Sequence, residues 1–275
     1  RAVTSESTLL YYYKAWFLSA QGREKEAKAA VAEAERQPAD TCFPNALEAI
    51  IALQTVIRLA EKAPKAHYYL GNLWYDKRQY AEAIAEWERS IKEDDTFPTA
   101  YRNLSLAYFN KLNKKQEAVA LLEKAFALDT QDARVLMELD QLYKRLNYAH
   151  NDRLALLDAH KAVAFSRDDL YLEYVTLLNQ LGCYEEAMAM LDARRFHPWE
   201  GGEGKVPAQY QLARVELAKR YLAAGEPAKA LQLIEECFVY PHHLGEGKLH
   251  GAQENDFNYY KACALQALGQ ETDAR

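Results

Sequence analysis

The chain has 275 residues, with 34 Lys plus Arg against 40 Asp plus Glu and a formal net charge of −6. That acidic balance disfavours nucleic-acid binding, which needs a basic face to displace counterions from phosphates. Mean hydropathy is −0.43, and the most apolar run, residues 46–61, is broken by Glu48, Gln54, Arg58 and Glu61. No segment is apolar over the length a bilayer requires.

Four cysteines, Cys42, Cys183, Cys237 and Cys263, are scattered with no CxxC spacing. That excludes a disulfide scaffold or a zinc ribbon and suits a reducing, cytoplasmic setting. The chain opens on Arg1 rather than Met, without a charged-then-apolar leader, and reads as a piece of a longer protein. Only 11 Gly and 8 Pro are present, as expected of a chain of helices with few tight turns.

Along the chain an Ala is followed seven residues later by a small residue: Ala27/Ala34, Ala83/Ser90, Ala118/Ala125, Ala155/Ala162 and Ala230/Cys237, with Ala187 and Ala274 continuing the first member. Successive first members are 56, 35, 37, 32, 43 and 44 apart. Upstream of most stands another small residue, Ala15, Gly71, Ser105, Ala218 or Ala262, with a large one three positions later. Small residues at helix crossings let two axes approach, and the large neighbour fills the space beside them. Gly22, Gly182, Gly225 and Gly269 fall where a left-handed turn would join the two helices of a pair.

The segment 65–95, KAHYYLGNLWYDKRQYAEAIAEWERSIKEDD, resembles a tetratricopeptide repeat, with Leu70, Gly71, Trp74, Tyr80, Ala83, Trp87 and Ser90 in the motif positions. Residues 101–129 are similar, with a longer inter-helix turn. The unit from Leu136 departs by carrying Asp140 where a small residue is expected, and the unit from Tyr171 has Val175 there. The resemblance implies an all-α fold: a right-handed superhelical solenoid of antiparallel helix pairs, about seven repeats plus one extra helix. Residues 1–37 form the first repeat, 44–63 the extra helix, 65–195 the central repeats, and 196–275 two repeats with inserted loops. The second helix of the seventh pair would begin near Ala274, so helix 258–268 is expected to be half covered and more mobile than residues 66–195.

The two inserted loops share a sequence. One is FHPWEGGEGKV (196–206), the other VYPHHLGEGKLHGAQEND (239–256), and together they hold six of the eleven glycines. Insertions in repeat proteins emerge on one face, often the binding face. A P-loop is excluded, because Val206 and Leu249 follow the lysines and no strand precedes. Trp199, Glu203, Lys205, Glu246 and Lys248 could serve a sugar or anion site. Equally, the loops could plug the space between repeats, with Trp199 buried and the Glu–Lys pairs solvated. His197, His242, His243 and His250 lack ligand spacing, so no metal and no cofactor is expected. No nucleophile–base arrangement can be nominated, and no catalytic residue is expected.

In this family the exposed positions of each first helix line the concave surface. Here they are Tyr68, Asn72 and Tyr75, then Arg102 and Asn103, then Arg134 and Gln141. Asn amides can hold a peptide backbone and Arg a carboxylate. Asn72, Asn103 and Arg134 match parts of the clamp with which some such repeats hold a C-terminal carboxylate, but Tyr68 and Glu138 break that pattern. The same positions would also make an ordinary solvated helix face.

YYLGNLWYDKR, NLSLAYFNKLN, HPWEGGEGKV and GEGKLHGAQEND together resemble the C-terminal half of a bacterial family of unknown function. There a helical array follows a β-sandwich domain similar to aldose epimerases, which implies a carbohydrate context. The expected function is a non-catalytic scaffold binding a protein segment, a peptide, or a β-sandwich domain of the same polypeptide, with no nucleic acid and no membrane. The alternative is an accessory region of a carbohydrate-active enzyme, lending GEGK loop residues to a missing domain's pocket.

Overall fold

The computed structural model describes residues 7–39 and 42–270, and every regular element among them is helical. The chain divides into two compact units, residues 1–135 and 136–275.

In the first unit, α1 (Thr8–Ala20) pairs with α2 (Glu24–Arg36), α4 (Pro64–Asp76) with α5 (Tyr80–Glu93), and α6 (Pro98–Ala107) with α7 (Lys115–Leu128). The repeat signal is a packing signal: Ala27, Ala34, Ala83, Ser90, Ala118 and Ala125 are all almost fully buried. Gly71 shows why one crossing needs no side chain. A Cβ there would sit 2.5 Å from Cδ1 of the Trp87 indole, so the usual helical cost of glycine, about 1 kcal/mol, is offset by the indole packed on the α4 backbone.

The extra helix, α3 (Glu48–Leu59), packs on α1 and α4. It is shorter than the expected 44–63, about 18 Å rather than 30 Å. Ala60 is extended and Ala63 lies outside the helical region, as the residue before a proline is pushed to do. Pro64 then opens α4 at a position whose missing N–H costs nothing.

The second unit begins within α8 (Ala133–Arg145) and continues with α9 (His150–Ala159), a single turn α10 (Lys161–Ala164), the pair α11 (Asp168–Gln180) and α12 (Tyr184–Ala193), the pair α13 (Lys205–Ala223) and α14 (Pro227–Cys237), and α15 (Asn255–Ala267). The expected last helix of a seventh pair falls on 271–275, outside the described residues.

The turn signal is confirmed at Gly22, Gly182, Gly225 and Gly269, all with φ between 74° and 78°. Where the middle repeats lack that glycine, Arg78 (φ 62°), Asn113 (φ 54°) and Asn147 (φ 58°) adopt the same left-handed turn. The longer turn after α6 is a π-helical extension, Tyr108–Leu112.

One register was misplaced. Ala155 and Ala162 are exposed, whereas Arg153 and Leu157 are buried. Arg153 therefore holds the position occupied by Ala83, Ala118 and Ala187 in the neighbouring repeats. It faces Asp140, which replaces the small residue of α8, in a bidentate pair: Nε to Oδ1 at 3.0 Å and Nη2 to Oδ2 at 2.8 Å. Nη2 also reaches Glu173 Oε1 at 2.6 Å, and Lys144 Nζ meets that same oxygen at 2.7 Å. A crossing sealed by two small residues elsewhere is sealed here by a buried ion pair.

Candidate functional site

In the first unit α4 and α6 floor a groove of about 770 Å³. It gathers Tyr68, Asn72, Tyr75, Arg102, Asn103 and Arg134, six of the seven residues assigned to the concave face, and adds Cys42 and Phe43 from the segment before α3. Tyr68 and Asn72 are not exposed as the sequence reading had them: they retain 8% and 6% of their surface and form the floor. Both meet the Trp87 indole, whose Nε1–H is shared between Tyr68 O at 3.2 Å and Asn72 Oδ1 at 3.1 Å.

Asn72 Oδ1 also accepts from Asn103 Nδ2 at 2.9 Å, and Asn103 Oδ1 accepts from Arg102 Nη1 at 3.1 Å. Trp87 and Arg102 thereby fix both carboxamides. Asn72 presents its NH₂ with no partner among the described residues, so the floor of the groove offers donors to an incoming acceptor. Tyr75 forms a wall, 5.4 Å from Trp87 and 5.0 Å from Tyr80 between ring centroids. The contribution of Trp87 was missed, because its motif position signalled packing alone.

In the second unit a groove of about 690 Å³ is lined by Gln141, Lys144, Glu173, Gln209 and the first inserted loop, including Trp199, Glu203 and Lys205. Gln141 belongs here and not with the first groove. The loop is anchored through Asp168 at the start of α11: Oδ2 accepts the His197 backbone N–H at 2.9 Å, and Oδ1 accepts Arg194 Nε at 2.7 Å. Burial pushes the Asp168 carboxyl up. The His197 backbone N–H, Arg194 and the His197 ring outweigh it and hold the group below the usual carboxylate range.

The two inserted loops join each other. Phe196 N donates to His243 O at 2.7 Å, and Gly204 N donates to Glu246 Oε2 at 2.8 Å. Gly245 is required at this joint: its φ is 79°, and a Cβ would lie 2.6 Å from Phe196 O. Trp199 is half-buried rather than buried, its indole lying on Gly202, where a Cβ would come within 2.3 Å.

Glu203 and Glu246 line one pocket of about 270 Å³ with His197, Pro198, Trp199, Glu200, Val206 and Leu244. The lysines do not follow. Lys205 lines the groove, and Lys248 pairs with Glu254 at 2.6 Å. Glu200 was missed, although it stands directly before the GGEGK run. Among the described residues no group of His, Cys, Asp and Glu could hold a metal ion, and no helix is long and apolar enough to cross a membrane.

These helix pairs, closed by small residues and left-handed turns, define a helical-hairpin repeat protein. Residues 64–97 match the tetratricopeptide repeat family. The TPR repeat-containing thioredoxin TTL4 of Arabidopsis thaliana is 37% identical over 83 residues, 30% of this chain and 12% of that protein. The matched stretch is thus about an eighth of that relative's length.

Among solved structures, YrrB, described as a TPR protein with an unusual peptide-binding site, is 16% identical with a TM-score of 0.49, over 79% of this chain and 98% of that one. MamA is 18% identical with a TM-score of 0.44, over 72% and 95%. PilF of Pseudomonas aeruginosa is 13% identical with a TM-score of 0.45, over 82% and 88%.

Proposed function

We propose that this chain is a non-catalytic, cytoplasmic interaction scaffold that holds an extended protein segment in the groove of its first unit. The observation that carries the reading is Asn72. It is 6% exposed, its carbonyl is taken by Trp87 and Asn103, and its amide hydrogens are unspent on the floor of a 770 Å³ groove. The amide nitrogen is not one of the fully enclosed polar atoms, so its hydrogens are open to the groove and can be offered to a peptide carbonyl or carboxylate. Tyr75 and Phe43 add apolar and aromatic surface for side chains of the segment.

The test is fluorescence polarisation of the protein against an array of extended peptides, followed by Asn72→Asp. That substitution keeps an acceptor for Trp87 and Asn103 but removes both amide hydrogens. Binding about tenfold weaker at unchanged helicity is expected, one charged-group hydrogen bond being worth roughly 1.5 kcal/mol. Equal binding by the variant, or no peptide bound by the wild type, overturns the reading.

A second reading places the chain beside a sugar-active β-sandwich domain, as in the bacterial family it resembles, with the GEGK loops touching that domain. It is favoured by the Gly204–Glu246 joint, which brings Trp199, Glu203 and Glu246 to one surface. Its anion-binding version is disfavoured, because the shared pocket holds three glutamates and no lysine. Co-expression with a preceding domain tests it: undiminished association of a Lys205→Ala, Lys248→Ala variant would remove the lysines from that interface.

A further inference from the structure

The pocket at the joint of the two inserted loops has a chemistry of its own. Trp199, whose indole lies on Gly202, lines it together with the apolar Val206 and Leu244, each 1% exposed. Glu200, Glu203 and Glu246 line the same pocket. Glu246 spends one oxygen on Gly204 N, Glu203 accepts only the Gly201 backbone N–H at 3.2 Å, and Glu200 has no partner among the described residues. The nearby cations are turned elsewhere: Arg194 to Asp168, Lys248 to Glu254, and Lys205 to the adjoining groove. His197, also on the rim, leans on Asp168.

We infer that this pocket is a receptor for the Lys or Arg side chain of an extended polypeptide lying in the second-unit groove. An aromatic face attracts a cation through its quadrupole, and carboxylates around a low-polarity floor strengthen that attraction. The volume, about 270 Å³, lies just below the range of about 300–1,000 Å³ typical of small-molecule sites, which fits one side chain. Trp199, Glu200 and Glu203 line both the pocket and the 690 Å³ groove, so a segment in the groove could lower one side chain into the pocket. The start of α13 does not recruit an anion instead, because Glu246 already occupies the amide of its capping residue, Gly204. The glycines set this geometry: Gly202 lets the indole lie on the backbone, and Gly204 turns with φ 74° against Leu249.

The test uses the full chain and a ten-residue Gly/Ser/Ala peptide with one central Arg, paired with the same peptide carrying neutral citrulline. Titration calorimetry at low salt reads both. The Arg peptide is expected to bind at least about fivefold more tightly than the citrulline peptide, the effect of one cation–π contact. In the double variant Glu203→Gln, Glu246→Gln that preference should disappear, while the joint survives because the new carboxamide oxygen still accepts from Gly204 N. Trp199→Leu should also abolish it. The Asn72→Asp variant should keep it, which separates this site from the first-unit groove. Equal affinity for the two peptides, a preference retained by the double glutamine variant, or no binding up to about 5 mM would each overturn the inference.

Discussion

Replacing Arg153 by Met removes one partner of a buried pair while keeping much of the side-chain volume. Arg153 is 1% exposed and Asp140 fully buried, and three hydrogen bonds of 2.6–3.0 Å run from the guanidinium to Asp140 and Glu173. Breaking such a pair leaves a buried carboxylate without its counter-charge, at a cost of about 3–5 kcal/mol. Against a typical stability of about 5–15 kcal/mol that loss is large. Burial pushes the Asp140 carboxyl above its ordinary value, and Arg153 pulls the other way. A raised folded-state value means that the Asp140 contribution is complete below the ordinary carboxylate range and is lost as pH rises through the folded value. Without Arg153 that value climbs further. The deficit of Arg153→Met should therefore be larger at pH 7 and shrink towards about pH 4, where a neutral Asp140 tolerates burial. Urea titrations followed by circular dichroism at both pH values read this. Asp140→Leu with Arg153→Met should recover to within about 1 kcal/mol of wild type or exceed it. A single-variant loss under about 1 kcal/mol, or a deficit independent of pH, would refute the argument.

Gly245→Ala is expected to cost about 2 kcal/mol or more, since it combines a left-handed backbone with a 2.6 Å approach to Phe196 O. Gly247→Ala, with nothing within 4 Å, should stay within about 0.5 kcal/mol in the same melts. Asp168→Asn should cost about 1–2 kcal/mol at neutral pH. Because the folded Asp168 value is lowered, its contribution is present above the ordinary carboxylate range and lost as pH falls through the folded value, so the deficit should vanish below about pH 3. Thiol labelling at pH 8 should modify exposed Cys183 quickly and leave Cys237 untouched until denaturant is added, because burial pushes the Cys237 thiol up to about 12.

Small residues made the fold legible. Ala83, Gly71 and Ala118 mark helix crossings, and a period near 34 can be counted without knowing any contact. Register failed at Ala155 because Asp140 and Arg153 meet the same spatial demand by charge neutralisation, which leaves no small residue to count. The extra helix was overextended because apolar spacing says nothing about the constraint Pro64 places on Ala63. Most of the first groove was legible, since its residues follow helix-face positions. The direction of the Asn72 amide was not, because it depends on Trp87, 15 residues away. In the loops the duplicated GEGK marked where the two connectors meet, but the partners of its lysines and glutamates diverged. Which side chain enters a pocket is decided by partners such as Glu254 and Gly204, and spacing does not encode them.

In a chain of stacked hairpins, strain at one end ordinarily peels one pair at a time. Here the connector before α13 and the connector after α14 are hydrogen-bonded to each other, through Phe196 to His243 and Gly204 to Glu246. The α13–α14 hairpin is therefore closed into a ring by its own flanking loops. Pulling on the C-terminal end loads that clasp before it loads the helices, so the hairpin should release in a single step rather than turn by turn.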